Sequence, residues 1–142
     1  MKPYESESID NKLFRLKQII EILDGLSKSS KDDFVKDYRL NNSAMFNLLI
    51  GITIILDTGQ YLLAKSAGKI AGEYREVIKI LGEENIVPKE FAVENENMAR
   101  FRNLLVHDYD KIDELQVYDF IQSAPEIFRK FTKYFVEFMG TK

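Results

Sequence analysis

Apolar residues at Ile9, Leu13, Leu16, Ile20, Leu23 and Leu26 recur with gaps of four and three, which predicts an opening helix with one buried stripe. Ser29 or Ser30 can cap a short second helix reaching Arg39, with Asp32 and Asp33 in its first turn, where the helix dipole favours negative charge. From Asn42 to about Ala67, the residues Met45, Phe46, Leu48, Leu49, Ile52, Ile55, Leu56, Gly59, Leu62 and Leu63 are apolar around more than half of a helical circumference. That is the pattern of a central helix touching several neighbours. Its Ile and Thr content also suits a strand, but the run far exceeds strand lengths and lacks period-two alternation.

Gly68 and Gly72 bracket a turn, and Glu73 to Leu81 predicts a short helix stopped near Gly82. Pro88 suits a first helical position, with Lys89 and Glu90 behind it. Phe91, Met98, Phe101, Leu104 and Leu105 form the buried side of that helix, which should end between His107 and Tyr109. Asp110 with Asp113 resembles a capping pair for a last helix carrying Leu115, Tyr118, Ile121, Ile127, Phe128, Phe131, Phe135 and Phe138, and Pro125 should kink it. Without an internal repeat or linker, the expectation is one all-α domain spanning 1–142, a bundle of about five helices.

A chain of 142 residues can bury a core without staples, and its lack of cysteine removes disulfides, thiolate metal sites and cysteine nucleophiles together. A net charge of -3 argues against a broad basic face for sequence-independent nucleic-acid binding while leaving room for a local basic cleft. Glu5, Glu7 and Asp10 fall where a signal peptide would be basic or apolar, so none is expected. The most apolar stretch, Ala44 to Leu56, is broken by Asn47, Gly51 and Thr53, so no membrane span is expected either. A cytoplasmic location fits these features.

The only histidine, His107, lies in the densest cluster of reactive side chains, Arg100-Phe101-Arg102-Asn103-Leu104-Leu105-Val106-His107-Asp108-Tyr109. One histidine without comparable ligand spacing makes a metal site unexpected, and no serine sits in a nucleophile elbow. No Gly-rich phosphate loop is present, nor the Gly-Ser and paired-aspartate strand motif with which nucleotidyl transferases hold magnesium and triphosphate, and no cofactor is expected. Asn103 and His107, four apart, share a helical face, whereas Arg102 and His107 are roughly 140° apart on a regular helix. Plainer roles compete with chemistry here. Arg102 can pair with Glu96 or Asp108, Tyr109 can anchor a helix end, and the aromatics from Phe128 to Phe138 have the spacing of core packing.

Arg102-Asn103-x-x-x-His107-x-Tyr109 resembles the Arg-x-x-x-x-His-x-Tyr signature of HEPN-domain toxins, in particular the HepT group partnered with minimal nucleotidyltransferase antitoxins. Leu105-Val106-His107-Asp108-Tyr109 followed by Ile112-Asp113 is similar to the wording of that group as well, and the helical plan with its long second element extends the likeness over nearly the whole chain. The resemblance implies a homodimer whose cleft brings together Arg102 and His107 from both subunits to cut RNA without a metal. Cleavage by the ribose 2′-hydroxyl needs a base, an acid and positive charge at the phosphorane, which one chain with one imidazole supplies incompletely and a two-fold pair supplies twice. On this reading His107 is the general acid or base, Arg102 the phosphate clamp and Asn103 an orienter of imidazole or phosphate. Tyr109 stacks on a base, bonds a phosphate, or is adenylylated by the antitoxin, as the resemblance implies for some pairs. Asp57 is a further polar candidate in the cleft. The alternative is a non-catalytic helical adaptor or nucleotide-binding module that engages a nucleotidyltransferase.

Overall fold

The computed structural model describes residues 3–140, with helices α1 (Pro3–Ser27), α2 (Lys31–Lys36), α3 (Tyr38–Ala67), α4 (Tyr74–Glu83), α5 (Lys89–Asn95), α6 (Met98–His107) and α7 (Glu114–Gly140), and a 3-10 turn at Tyr109–Lys111. The all-α reading of the pattern holds. Helix α3 is the shared element: α1 and α7 pack on it and on each other, and α4 and α6 do the same. Leu48, Ile52, Ile55, Leu56 and Leu63 of α3 are fully buried among Leu16, Ile19 and Leu23 of α1 and Phe128, Phe131 and Phe135 of α7. The regularly spaced aromatics of α7 are therefore core. By length and composition α3 could cross a bilayer, but 61% of its most apolar window is buried inside the protein, as in a core helix.

The described residues form seven helices where about five were expected, the long helix starts at Tyr38 rather than Asn42, and two further boundaries differ. The second helix stops at Lys36 rather than Arg39, because the extended Asp37 ends α2 through its N–H on the Asp33 carbonyl (3.0 Å) and opens α3 by accepting the Arg39 N–H (2.9 Å). Asn41 secures the corner, its buried amide donating to the carbonyls of Phe34 (3.2 Å) and Val35 (3.3 Å). The single helix expected from Pro88 to His107 is two, interrupted at Glu96 and Asn97, where the Asn95 amide donates to the Phe91 carbonyl (2.9 Å), the local side-chain bonding by which asparagine disfavours helix interiors. Asp113 alone caps α7, accepting the Leu115 N–H at 2.9 Å, while Asp110 lies in the 3-10 turn. Helix α7 runs on through the buried Pro125.

Close approach of α3 to α1 and α7 depends on Gly51. A Cβ there would meet Phe128 Cε2 at 2.6 Å and Ile19 Cγ2 at 3.3 Å. Gly51→Val should lower unfolding stability by about 1–3 kcal/mol, the usual cost of overpacking against a ring held by its neighbours. Gly25→Ala, where nothing lies within 4 Å, should instead raise it by up to about 1 kcal/mol through helix propensity. Urea denaturation of both variants checks the sign at each position.

Candidate functional site

Thr53 and Asp57 are four residues apart and so share one face of α3. The Thr53 hydroxyl donates to the Leu49 carbonyl at 2.8 Å, the ordinary back-bond of a helical threonine, which leaves its oxygen free to accept. Arg102 of α6 uses that acceptor: its Nε donates to Thr53 Oγ1 at 3.1 Å and its Nη1 to Asn103 Oδ1 at 3.1 Å. The third element arrives through a turn. Gly68, at φ 62, ends α3 in the left-handed conformation that glycine adopts without strain, and the chain returns to start α4 at Tyr74. The Tyr74 ring lies against the guanidinium, with Arg102 Cζ at 4.9 Å from its centroid, and its hydroxyl donates to Asp57 Oδ1.

Arg102 is thus half-buried and held by a hydroxyl, an amide and an aromatic face. No carboxylate pairs with it among the described residues, and the surface pairings with Glu96 or Asp108 allowed by the sequence do not form; Asp108 lies 3.9 Å from Lys111 instead. The remaining guanidinium N–H groups have no partner among the described residues. Burial first, and then the bond to Asp57 and its charge, push the Tyr74 phenol above its ordinary value, with Arg102 opposing weakly.

The other expected residues are close in sequence but are not joined to this cluster. His107 is the last residue of α6, exposed and without a hydrogen-bond partner among the described residues; the Asp108 N–H closes the helix on the Leu104 carbonyl at 2.9 Å. Tyr109 opens the 3-10 turn at 73% exposure, so it does not anchor the helix end in the core. Asn103 holds the guanidinium rather than the imidazole. Among the described residues, Asp57 reaches the site through the Tyr74 hydroxyl. Within the chain, then, Arg102, Asn103, Asp57, Thr53 and Tyr74 converge, and His107 and Tyr109 are exposed farther along, at the end of α6 and in the turn that follows. Thr53 and Tyr74 were not singled out as site residues by the sequence. The four-residue spacing of Thr53 and Asp57 on a largely apolar helix was the available signal for Thr53, whereas Tyr74 carried none. Among the described residues, no group of three or more His, Asp or Glu side chains gathers as a metal site.

A sequence profile for the family described as "Ribonuclease HepT-like" matches residues 16–135. No curated protein matches. Among solved structures, a toxin–antitoxin crystallised with AMP-PNP superposes with a TM-score of 0.80 at 21% identity, covering 95% of this chain and 99% of its own. A tri-AMPylated HEPN toxin from Shewanella oneidensis, in complex with an MNT antitoxin, gives 0.80 at 22% identity, covering 94% and 97%. YutE, a cytosolic protein of unknown function from Bacillus subtilis, gives 0.82 at 20% identity, covering 96% and 91%. At such identities, the likeness shows the fold.

The raised Tyr74 phenol has a consequence for stability. The folded state holds that proton more tightly than the unfolded chain, so the contribution is fully present below about pH 10, the ordinary tyrosine value, and is lost as pH rises through the higher folded value. The difference in urea midpoint between the parent and Tyr74→Phe should therefore stay constant from pH 7 to pH 9 and move in favour of the variant above about pH 10. A difference that moves the opposite way contradicts the assignment.

Proposed function

Because the chain belongs to the HepT-like ribonuclease family, whose profile spans residues 16–135, we propose that it is the toxin of a toxin–antitoxin pair and cuts RNA in the cytoplasm as a homodimer. One observation carries this reading: Arg102 is fixed by neutral partners, on the same helix whose last residue, His107, is exposed and has no side-chain partner among the described residues. A guanidinium paired with a carboxylate has its charge and its donors occupied. Held by Thr53, Asn103 and Tyr74, it keeps its charge and its remaining N–H groups for a phosphate, whose oxygens match the fork of guanidinium donors.

In the proposed reaction the ribose 2′-oxygen attacks phosphorus and the bond from phosphorus to the 5′-oxygen breaks, giving a 2′,3′-cyclic phosphate and a 5′-hydroxyl. His107 removes the 2′-proton or delivers one to the 5′-oxygen, and Arg102 stabilises the charge of the phosphorane. Each chain has one imidazole, so the complementary proton transfer falls to the partner's copy in a two-fold cleft. Exposed Val106 and Tyr109 flank His107 and give that interface apolar surface. Asn103 serves as the anchor of Arg102.

The silencing partner in this reading is a minimal nucleotidyltransferase antitoxin, since one structural neighbour is an AMPylated HEPN toxin bound to an MNT antitoxin. Tyr109 is the motif tyrosine, and its 73% exposure leaves the phenol open to attack the α-phosphate of ATP, expelling pyrophosphate and leaving an AMP ester. The added negative charge opposes an RNA phosphate.

The purified protein, incubated with RNA in excess chelator, should cleave it, and His107→Ala and Arg102→Ala should each slow cleavage by about 10²-fold or more. RNA left intact at high protein concentration supports a non-catalytic adaptor instead, and cleavage abolished by chelator overturns the metal-free route. Intact-mass measurement after coexpression with the neighbouring nucleotidyltransferase should show added AMP on the parent chain and none on Tyr109→Phe; an unmodified chain in an inhibited complex excludes AMP transfer as the means of silencing.

A further inference from the structure

Arginine side chains are long and flexible, and a phosphate clamp works only if the guanidinium plane is already turned toward the reacting group. Helix α6 cannot fix that plane alone. Thr53 holds one edge through Nε and Asn103 another through Nη1, but two edge contacts leave the plane able to tip about the line between them. The missing restraint is on the face, and it comes from Tyr74 at the start of a different helix, with its ring centroid 4.9 Å from Cζ. The ring is in turn fixed by its hydroxyl on Asp57 of α3.

We propose that Tyr74 is a positioning residue for Arg102, acting as a floor beneath the guanidinium, and that Asp57 serves the site by locking Tyr74 rather than by touching substrate. The proposal rests on Arg102 being the phosphate clamp of an RNA-cleaving site. The chemistry explains why a tyrosine intervenes between two oppositely charged side chains. Direct contact of Asp57 with Arg102 would occupy the donors meant for phosphate and compete with its charge. With a phenol between them, the carboxyl oxygen accepts from a neutral hydroxyl, the guanidinium face gains cation–π attraction, and its open edge stays free for a substrate phosphate. Burial and Asp57 together keep the phenol protonated, so it remains a donor throughout the neutral range.

The test combines a spectroscopic reading of Arg102 with kinetics on a short RNA in chelator, using the full chain. The Nε–H resonance of Arg102, identified by its loss in Arg102→Lys, should be shifted upfield by the Tyr74 ring and protected from solvent exchange. In Tyr74→Phe the ring-current shift should persist while exchange quickens, because the lock to Asp57 is gone. In Tyr74→Leu the shift should disappear and kcat/KM should fall at least ten-fold, with Tyr74→Phe and Asp57→Asn between that variant and the parent. Adding Tyr74→Leu to Arg102→Lys should cost less than two-fold further, since the residue through which Tyr74 acts is already changed. A merely structural role would lower thermal stability and reduce the amount of active protein without this coupling.

An Nε–H signal unaltered in Tyr74→Leu overturns the proposal, as does a lost signal with kcat/KM within two-fold of the parent. If Tyr74→Leu does not fold, Asp57→Asn decides the matter by the same two readings. If the parent cuts no RNA, the nuclease reading fails on its own, and the Arg102 resonance still reports whether Tyr74 holds the guanidinium.

Discussion

A single guanidinium joins three helices at the site, and it is held without a counter-ion among the described residues. Arg102 of α6 donates to Thr53 of α3, stacks on Tyr74 of α4 and is steadied by its neighbour Asn103. Drawing a cation partly out of water carries a desolvation cost, which hydrogen bonds to neutral oxygens and the electron-rich face of a ring offset while the charge itself remains available. A salt bridge would hold the side chain equally well but would consume that charge. The choice of neutral partners is what separates an arginine kept for a ligand from one kept for stability.

The same helix serves core and site because its two faces do different work. Gly51 and Thr53 are two positions apart and so lie roughly 200° apart around α3. The first admits Phe128 and Ile19 at close range; the second receives Arg102. Packing against α1 and α7 fixes α3, and α3 then fixes where the arginine of α6 comes to rest. The left-handed turn at Gly68 brings α4 back so that its first residue supplies the aromatic floor.

Much of this was legible in the chain. Periodicity located the helices, because a stripe that must be buried repeats every three or four residues, and the run from Arg102 to Tyr109 carried enough spacing information to suggest a family. Helix ends were less accessible. Asp37 closes one helix and opens the next through hydrogen bonds that depend on how the two elements meet, and the Glu96–Asn97 interruption follows an asparagine whose amide bonds the Phe91 carbonyl one turn back. Asp57 was visible as a polar break in an apolar run, but its partner was not, since Tyr74 lies seventeen residues away across a turn and resembles any half-buried tyrosine. Asn103 shares a helical face with His107, yet its side chain binds Arg102, a preference that spacing alone does not encode.

The chain thus holds a prepared cation and one imidazole without a partner among the described residues, which under the proposed function is half of what acid–base cleavage of RNA requires. Two-fold symmetry is the simplest way to complete the set. The most direct test is the specific RNA-cleaving rate measured while the protein is diluted through its monomer–dimer transition, with sedimentation velocity giving the dimer fraction at each concentration. The rate per protomer should fall in step with that fraction. Undiminished turnover by a population sedimenting only as monomer would contradict the shared cleft.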